Sequence, residues 1–380
     1  MDFDLNTEEN SLLESMRAAI GDPLLPGLQT LDKAPAQAIR DSTRAWLGRL
    51  AEIGYLSVAV GKARKRERTA LLLAQAELAK TAPWLVFGIE CGGRLVSQLI
   101  ADHGSPGQRD SLLGPLVTGQ WIAASGMTEA CPGPGHSLST QAVAVKDGYQ
   151  VTGVKAAVGL APIADLFAIL AQTPGGQALF LIPRETPGLG VGERIETFGY
   201  EELMLSAVHL DGVFVPDERV IGPLPGVDLL AEFRWAEDRT LIAASLGIAR
   251  RCFEEARKNA DQPRGDGKPP AAHQVIRFAL AEMLAQIQTA EILAWRAAAA
   301  EGQEDREAAS LLLCAKVLAT ETACRVAEQA MQILTSSGFC KGNPVERAFR
   351  NARLGPILGH TSEAARQAIA DDVLARFATA

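Results

Sequence analysis

AVAVKDGYQVTG (142–153), LFAILAQTPGGQALFLIP (166–183) and VHLDGVFVP (208–216) decide how the whole chain is read. In the first, strand-like residues lie on both sides of Asp147-Gly148, a dipeptide whose backbone preferences suit a tight hairpin turn. The second repeats the device around Pro174, Gly175 and Gly176, and the third reads as a further strand pair. Residues 119–225 are therefore expected to form a central β-domain.

On either side the texture becomes helical. Residues 1–118 contain segments such as LLLAQAELAK (71–80), with Gly and Pro mostly at segment ends, and form the first unit. Beyond Gly226 a period near 3.6 returns. Ile276, Leu280, Met283, Ile287, Ala290 and Ala294 form one stripe, and Leu313, Val317, Thr320, Cys324, Ala327 and Met331 form another. Residues 226–380 thus read as a helical bundle, with Asn259 to Ala271, rich in Pro, Gly and charge, as an exposed connection.

The 380 residues, 47% hydrophobic and 22% charged, describe an ordinary globular chain large enough for two or three packed units. No apolar run approaches the roughly 20 residues that span a bilayer, so no membrane role is expected. The acidic N-terminus has no signal pattern, which makes the expected location cytoplasmic. A net charge of -8 argues against nucleic acid, although Lys62 to Arg68 (KARKRER) is locally basic. The cysteines at 91, 131, 252, 314, 324 and 340 form no CxxC pair, and the histidines show no ligand spacing. Reduced, mostly buried thiols and no metal are expected.

Several segments, in order, resemble the acyl-CoA dehydrogenase family. GMTEA (126–130) is similar to its M/V-T-E-P motif, VTGVKAAVGLAPIADLF to its N-G-x-K-x-W-I-T-N segment, and VFVPDERVIG (213–222) to its V-P-x-x-x-x-L-G. SLGIARRCFEEA, AEQAMQILTSSGF, PVERAFRNAR and HTSEAARQAIA follow in family order. The resemblance implies an α+β, mainly α architecture: an N-terminal helical domain, a β-barrel-like central domain and a C-terminal four-helix bundle. Ala161 to Asp165 (APIAD) also resembles a segment of the enzymes that oxidise a prolyl group on a carrier protein.

That family abstracts the proton alpha to a thioester and passes the beta hydrogen to FAD as hydride. The proton is weakly acidic, so the base must be a carboxylate in a dry pocket. The common base position of the family corresponds to Gly359, in Gly359-His360-Thr361-Ser362, where no carboxylate stands. A minority of the family carries it one helix earlier, and the gapless count back from Leu246-Gly247 selects Glu237, with Asp238 as runner-up and His360 as a structural residue. For the cofactor, the resemblance points to Met127, Thr128, Ala157, Gly159, Arg264 and Gln332. Ala157 replaces an aromatic, Gly159 a threonine, and PRGDG around Arg264 lacks the usual Phe, so several FAD contacts are missing.

The implied function is α,β-dehydrogenation of an acyl or aminoacyl thioester, on CoA or a carrier protein, in biosynthesis of a secondary metabolite. Two alternatives stand beside it: a redox-neutral enzyme using the same carboxylate, and a non-catalytic subunit of a flavin-containing complex. The expected assembly is a homodimer or homotetramer, or a hetero-oligomer with another family member. Lys62 to Arg68 is the expected docking point for an acidic carrier protein.

Overall fold

The computed structural model describes residues 6–22, 27, 31, 34–61, 67–130, 138–263, 267–303 and 305–378. Helices come first: α1 (Thr7–Ile20), α2 (Ala36–Glu52), α3 (Arg68–Ala79), α4 (Pro83–Ile89), α5 (Leu95–His103) and the short α6 (Pro106–Gln108) and α7 (Gly114–Val117). A π-helical turn, Glu90–Arg94, joins α4 to α5. Asn6 and Glu9 form a reciprocal capping box on α1, satisfying backbone donors that the first turn leaves open.

The described strands form one eight-stranded sheet. They are β1 (Ala123–Gly126), β2 (Gln141–Val145), β3 (Gly148–Val158), β4 (Leu166–Thr173), β5 (Gly176–Pro183), β6 (Leu189–Arg194), β7 (Ser206–Pro216) and β8 (Val220–Ile221). Their order is β6-β7-β3-β2-β4-β5-β8, with β1 parallel to β4. Both predicted hairpins are present, as β2-β3 and β4-β5. VHLDGVFVP is not a strand pair: β7 runs straight through Asp211-Gly212. Gly212, at φ +59, sits in a bulge where β7 carries one residue more than β3, and its amide donates to Thr152 Oγ1 at 3.2 Å.

The C-terminal helices are α8 (Leu229–Ala260), α9 (Gln274–Gly302), α10 (Ala308–Leu334), α11 (Ser336–Phe339), α12 (Pro344–Ala352) and α13 (Ser362–Ala378). Asp228 caps α8 by accepting from the Ala231 amide at 3.1 Å. Met283, Ile287, Ala290 and Ala294 are buried as the stripe on α9 requires. On α10, Leu313, Thr320 and Ala327 of the expected stripe are buried and Val317, Cys324 and Met331 half-buried, while Ala319, Ala323, Val326 and Ala330 widen the buried face. Gly247 sets the approach of α3 to α8, because a Cβ there would lie 2.6 Å from the Ala76 carbonyl oxygen.

Asp165, the last residue of APIAD, fastens the sheet to α2 and β1. It accepts from Arg40 at 2.5 Å, Arg44 at 2.9 Å and the Ile122 amide at 2.9 Å. Of the described cysteines only Cys252 is fully buried, and Cys340 is exposed, which corrects the expectation of mostly buried thiols. Lys62 to Arg66 lie outside the described residues.

Candidate active site

Glu237 and Asp238 are consecutive on α8, so a 3.6-residue turn directs them about 100° apart. The structure uses both directions. Glu237 points, with Phe233 one turn before it, into a cavity of about 380 Å³. Asp238, fully buried, points at the loop before α13, where its Oδ1 accepts from the His360 amide at 3.0 Å and its Oδ2 lies 2.5 Å from His360 Nδ1. Lys316 of α10 donates to the His360 carbonyl, and the Trp235 and His360 rings are 5.0 Å apart. The runner-up is therefore a fastener of the loop, with its carboxylate already engaged.

Gly359 belongs to the same arrangement. It sits at φ +66, and a Cβ there would overlap the Asp238 carboxylate. No larger residue fits while Asp238 holds the loop.

Besides Phe233 and Glu237 of α8 and residues 197–205, among them Phe198 and Tyr200, four further parts of the fold bound the cavity. The α4 and π-turn segment supplies Phe87, Gly88, Cys91 and Gly92; the exit of β1 supplies Ser125, Met127 and Thr128; the end of β3 supplies Ala157 and Gly159; and α12 with its following loop supplies Arg350, Leu354 and Leu358. Most of this lining is apolar. Glu237 forms no hydrogen bond or ion pair with the described residues. Burial, and then the neighbouring Asp238 charge, push its pKa up to about 8, against the pull of Arg234 and Lys316.

Met127, Thr128, Ala157 and Gly159 thus line the same cavity as Glu237. Gln332 does not join them: α10 turns Ile333 and Leu334 inward and leaves Gln332 exposed, so within one chain the expected cofactor contact is not made. Arg264 lies outside the described residues. Sequence reasoning missed Cys91, Ser125 and Phe233, which reach the cavity through long-range packing and carry no local motif.

Over 98% of its length the chain is 30% identical to benzylmalonyl-CoA dehydrogenase of Aromatoleum aromaticum, and the match covers 100% of that protein. The chain belongs to the acyl-CoA dehydrogenase family. Residues 124–213 match the family model for the acyl-CoA dehydrogenase middle domain, and residues 226–374 match that for the C-terminal domain. The human mitochondrial short-chain specific acyl-CoA dehydrogenase is 31% identical over 72% of this chain and 68% of its own. Among solved structures, a glutaryl-coenzyme A dehydrogenase in complex with glutaryl-CoA superposes with a TM-score of 0.89 at 23% identity, covering 99% of this chain and 97% of that one. The prolyl acyl carrier protein oxidase AnaB gives 0.84 at 22% identity, over 97% and 100%.

As an acyl-CoA dehydrogenase family member the chain has the fold expected from its sequence, and its relatives are oxidoreductases acting on CH-CH bonds. Family membership implies FAD, and the cavity suits the flavin ring in two respects. Ala157 and Gly159 present a wall almost free of side chains, and the Ser125 hydroxyl is buried in the lining without a hydrogen-bond partner. Such an orphaned group is costly unless a ligand satisfies it.

Proposed function

We propose that this chain is an FAD-dependent dehydrogenase of a short acyl or aminoacyl thioester, carried on CoA or a carrier protein, with Glu237 as the base for the alpha proton. The observation that supports this most is a carboxylate without a hydrogen-bond or ion-pair partner among the described residues, lining an apolar cavity together with Met127 and Thr128. FAD, held along Met127, Thr128, Ala157 and Gly159, would supply the acceptor for the hydride from the beta carbon. Glu237 takes the alpha proton, and its desolvated position makes it a stronger base than an exposed glutamate. Leu354 and Leu358 supply apolar lining that would keep water from the reacting carbons. A cavity of about 380 Å³ that must also receive the flavin ring leaves room for a short acyl group. A visible absorbance spectrum of the purified protein tests the reading: a flavin band that bleaches on addition of a short acyl thioester supports it. A colourless protein that still exchanges the alpha proton with solvent would favour redox-neutral chemistry.

The raised pKa predicts the pH dependence. A base must be ionised, so kcat/KM should climb as pH rises through about 8 and level off above it. The charged and titratable groups around it include Asp238 and Arg234 on α8, Lys316 from α10, Cys91 from the π-turn, and Arg350 and Arg353 of the cavity lining. A rate profile already flat at pH 6 would remove Glu237 from the role.

Oligomerisation is part of the proposal. On α9, Val275, Phe278 and Ile292 are 71%, 58% and 46% exposed, an apolar surface that a second copy would cover. Light scattering at micromolar concentration should give at least a dimer, and a monomeric mass would reject it.

A further inference from the structure

A second cavity, of about 530 Å³, lies on the opposite face of α8 from Glu237, enclosed by α3, α5, α8 and the facing ends of α9 and α10. Its floor is aliphatic, formed by Leu71, Leu72, Leu99, Ile242 and Leu312. Three guanidinium groups line it. Arg94 is paired with Glu90 at 2.9 Å and Arg239 with Glu301 at 3.3 Å, but Arg68 makes no ion pair among the described residues. Burial, and then repulsion from Arg239, lower the Arg68 pKa to about 10. Among the described residues Arg68 is thus the guanidinium of this cavity without a direct ion pair, beside an aliphatic surface; Glu301 and Glu90 attract it only at longer range, and Glu232 and Asp102 also line the cavity.

We infer that this cavity binds a monoanionic aliphatic acid, with Arg68 receiving the carboxylate and the leucine-lined floor receiving the chain. Arginine suits the role because its planar donors match both oxygens of a carboxylate. Asp102 also lines the cavity, with Oδ2 accepting from Gln98 at 2.5 Å and Oδ1 buried without a partner, and its charge disfavours a second acid group on the ligand. The volume falls within the range of small-molecule sites. Trp235 lines the cavity, and its ring lies 5.0 Å from that of His360, which is held by Asp238, the residue next to Glu237 on α8. An occupant would therefore touch a residue packed against the loop that Asp238 holds.

Trp235 also supplies the measurement. Intrinsic fluorescence should change saturably when the protein is titrated with octanoate, and Trp235→Phe should lose that change. Arg68→Met should weaken octanoate about tenfold or more, as expected for loss of a charge-assisted contact. Octanol should bind at least about tenfold more weakly than octanoate for the same reason. Ala298→Phe, which fills the cavity, should abolish the response, with circular dichroism confirming that the variant is folded. Equal affinity in wild type and Arg68→Met, equal binding of octanol and octanoate, or a response to inorganic phosphate alone would each overturn the inference.

Discussion

Replacing Glu237 with Gln should slow turnover by about two to four orders of magnitude, because the side chain keeps its size and loses its basicity. Flavin content, judged from the visible spectrum, should not change. The same variant should be more stable than wild type at alkaline pH. A carboxyl group whose pKa rises to about 8 on folding holds its proton in the native state at pH values where the unfolded chain, near 4.5, has lost it. Wild-type stability from this group is therefore complete below about pH 4.5 and lost as pH rises through about 8. The amide that replaces the carboxyl group has no such proton to lose. Thermal melts at pH 9 check this half of the prediction, and rapid single-turnover measurements check the first. Full activity in Glu237→Gln, together with an inactive Asp238→Asn, would move the assignment by one residue.

The second large effect is on stability. Lys155→Met should cost about 3–5 kcal/mol, because it strands the Glu129 carboxylate in the interior. Lys155 is fully buried, and its Nζ lies 2.7 Å from Glu129 Oε1. The carboxylate also accepts from the Ser139 amide and hydroxyl at 2.6 Å each, the Thr140 amide at 2.9 Å and its hydroxyl at 2.6 Å. Burial alone would raise the Glu129 pKa, but these contacts hold it down at about 2. Burial draws Lys155 downward while Glu129 draws it upward; the short contact and the four other donors favour the charged pair. Since the Glu129 pKa falls on folding, its contribution is present above about 4.5 and disappears as pH drops toward about 2. Denaturant midpoints at pH 7 and pH 3 would measure both effects. An unchanged midpoint at pH 7 would show that the pair adds nothing beyond its own desolvation. Glu129 follows Met127 and Thr128 directly, so the same variant should also loosen the cofactor wall.

The layout of helices and sheet was legible because the chain changes period, from 3.6 to 2 and back, and because Asp147-Gly148 turns where its backbone preferences say it should. Asp211-Gly212 satisfies the same local rule and does not turn. β7 is held on both sides, by β3 and β6, and that pairing overrides the dipeptide through a bulge. The site was legible to the level of two adjacent carboxylates. Which one faces the cavity depends on the rotation of α8 against the loop at 358–361, a relation between residues more than a hundred positions apart. Ser125, Cys91 and Phe233 were invisible for the same reason. Gln332 was read from a motif, and within one chain it is exposed and outside the cavity.

The interlock of Asp238 with Gly359 has an evolutionary consequence. With Glu237 as the proposed base, moving the carboxylate to position 359 would take more than one substitution, since a side chain there strikes the carboxylate that pins the loop unless Asp238 shifts. Removing Asp238 first would release His360 and unfasten that loop before anything replaced it. The two positions are thus epistatic, and each single step between the two arrangements passes through a damaged enzyme. A catalytic group that moved along the chain would be trapped in its new place by the contacts that now surround the old one.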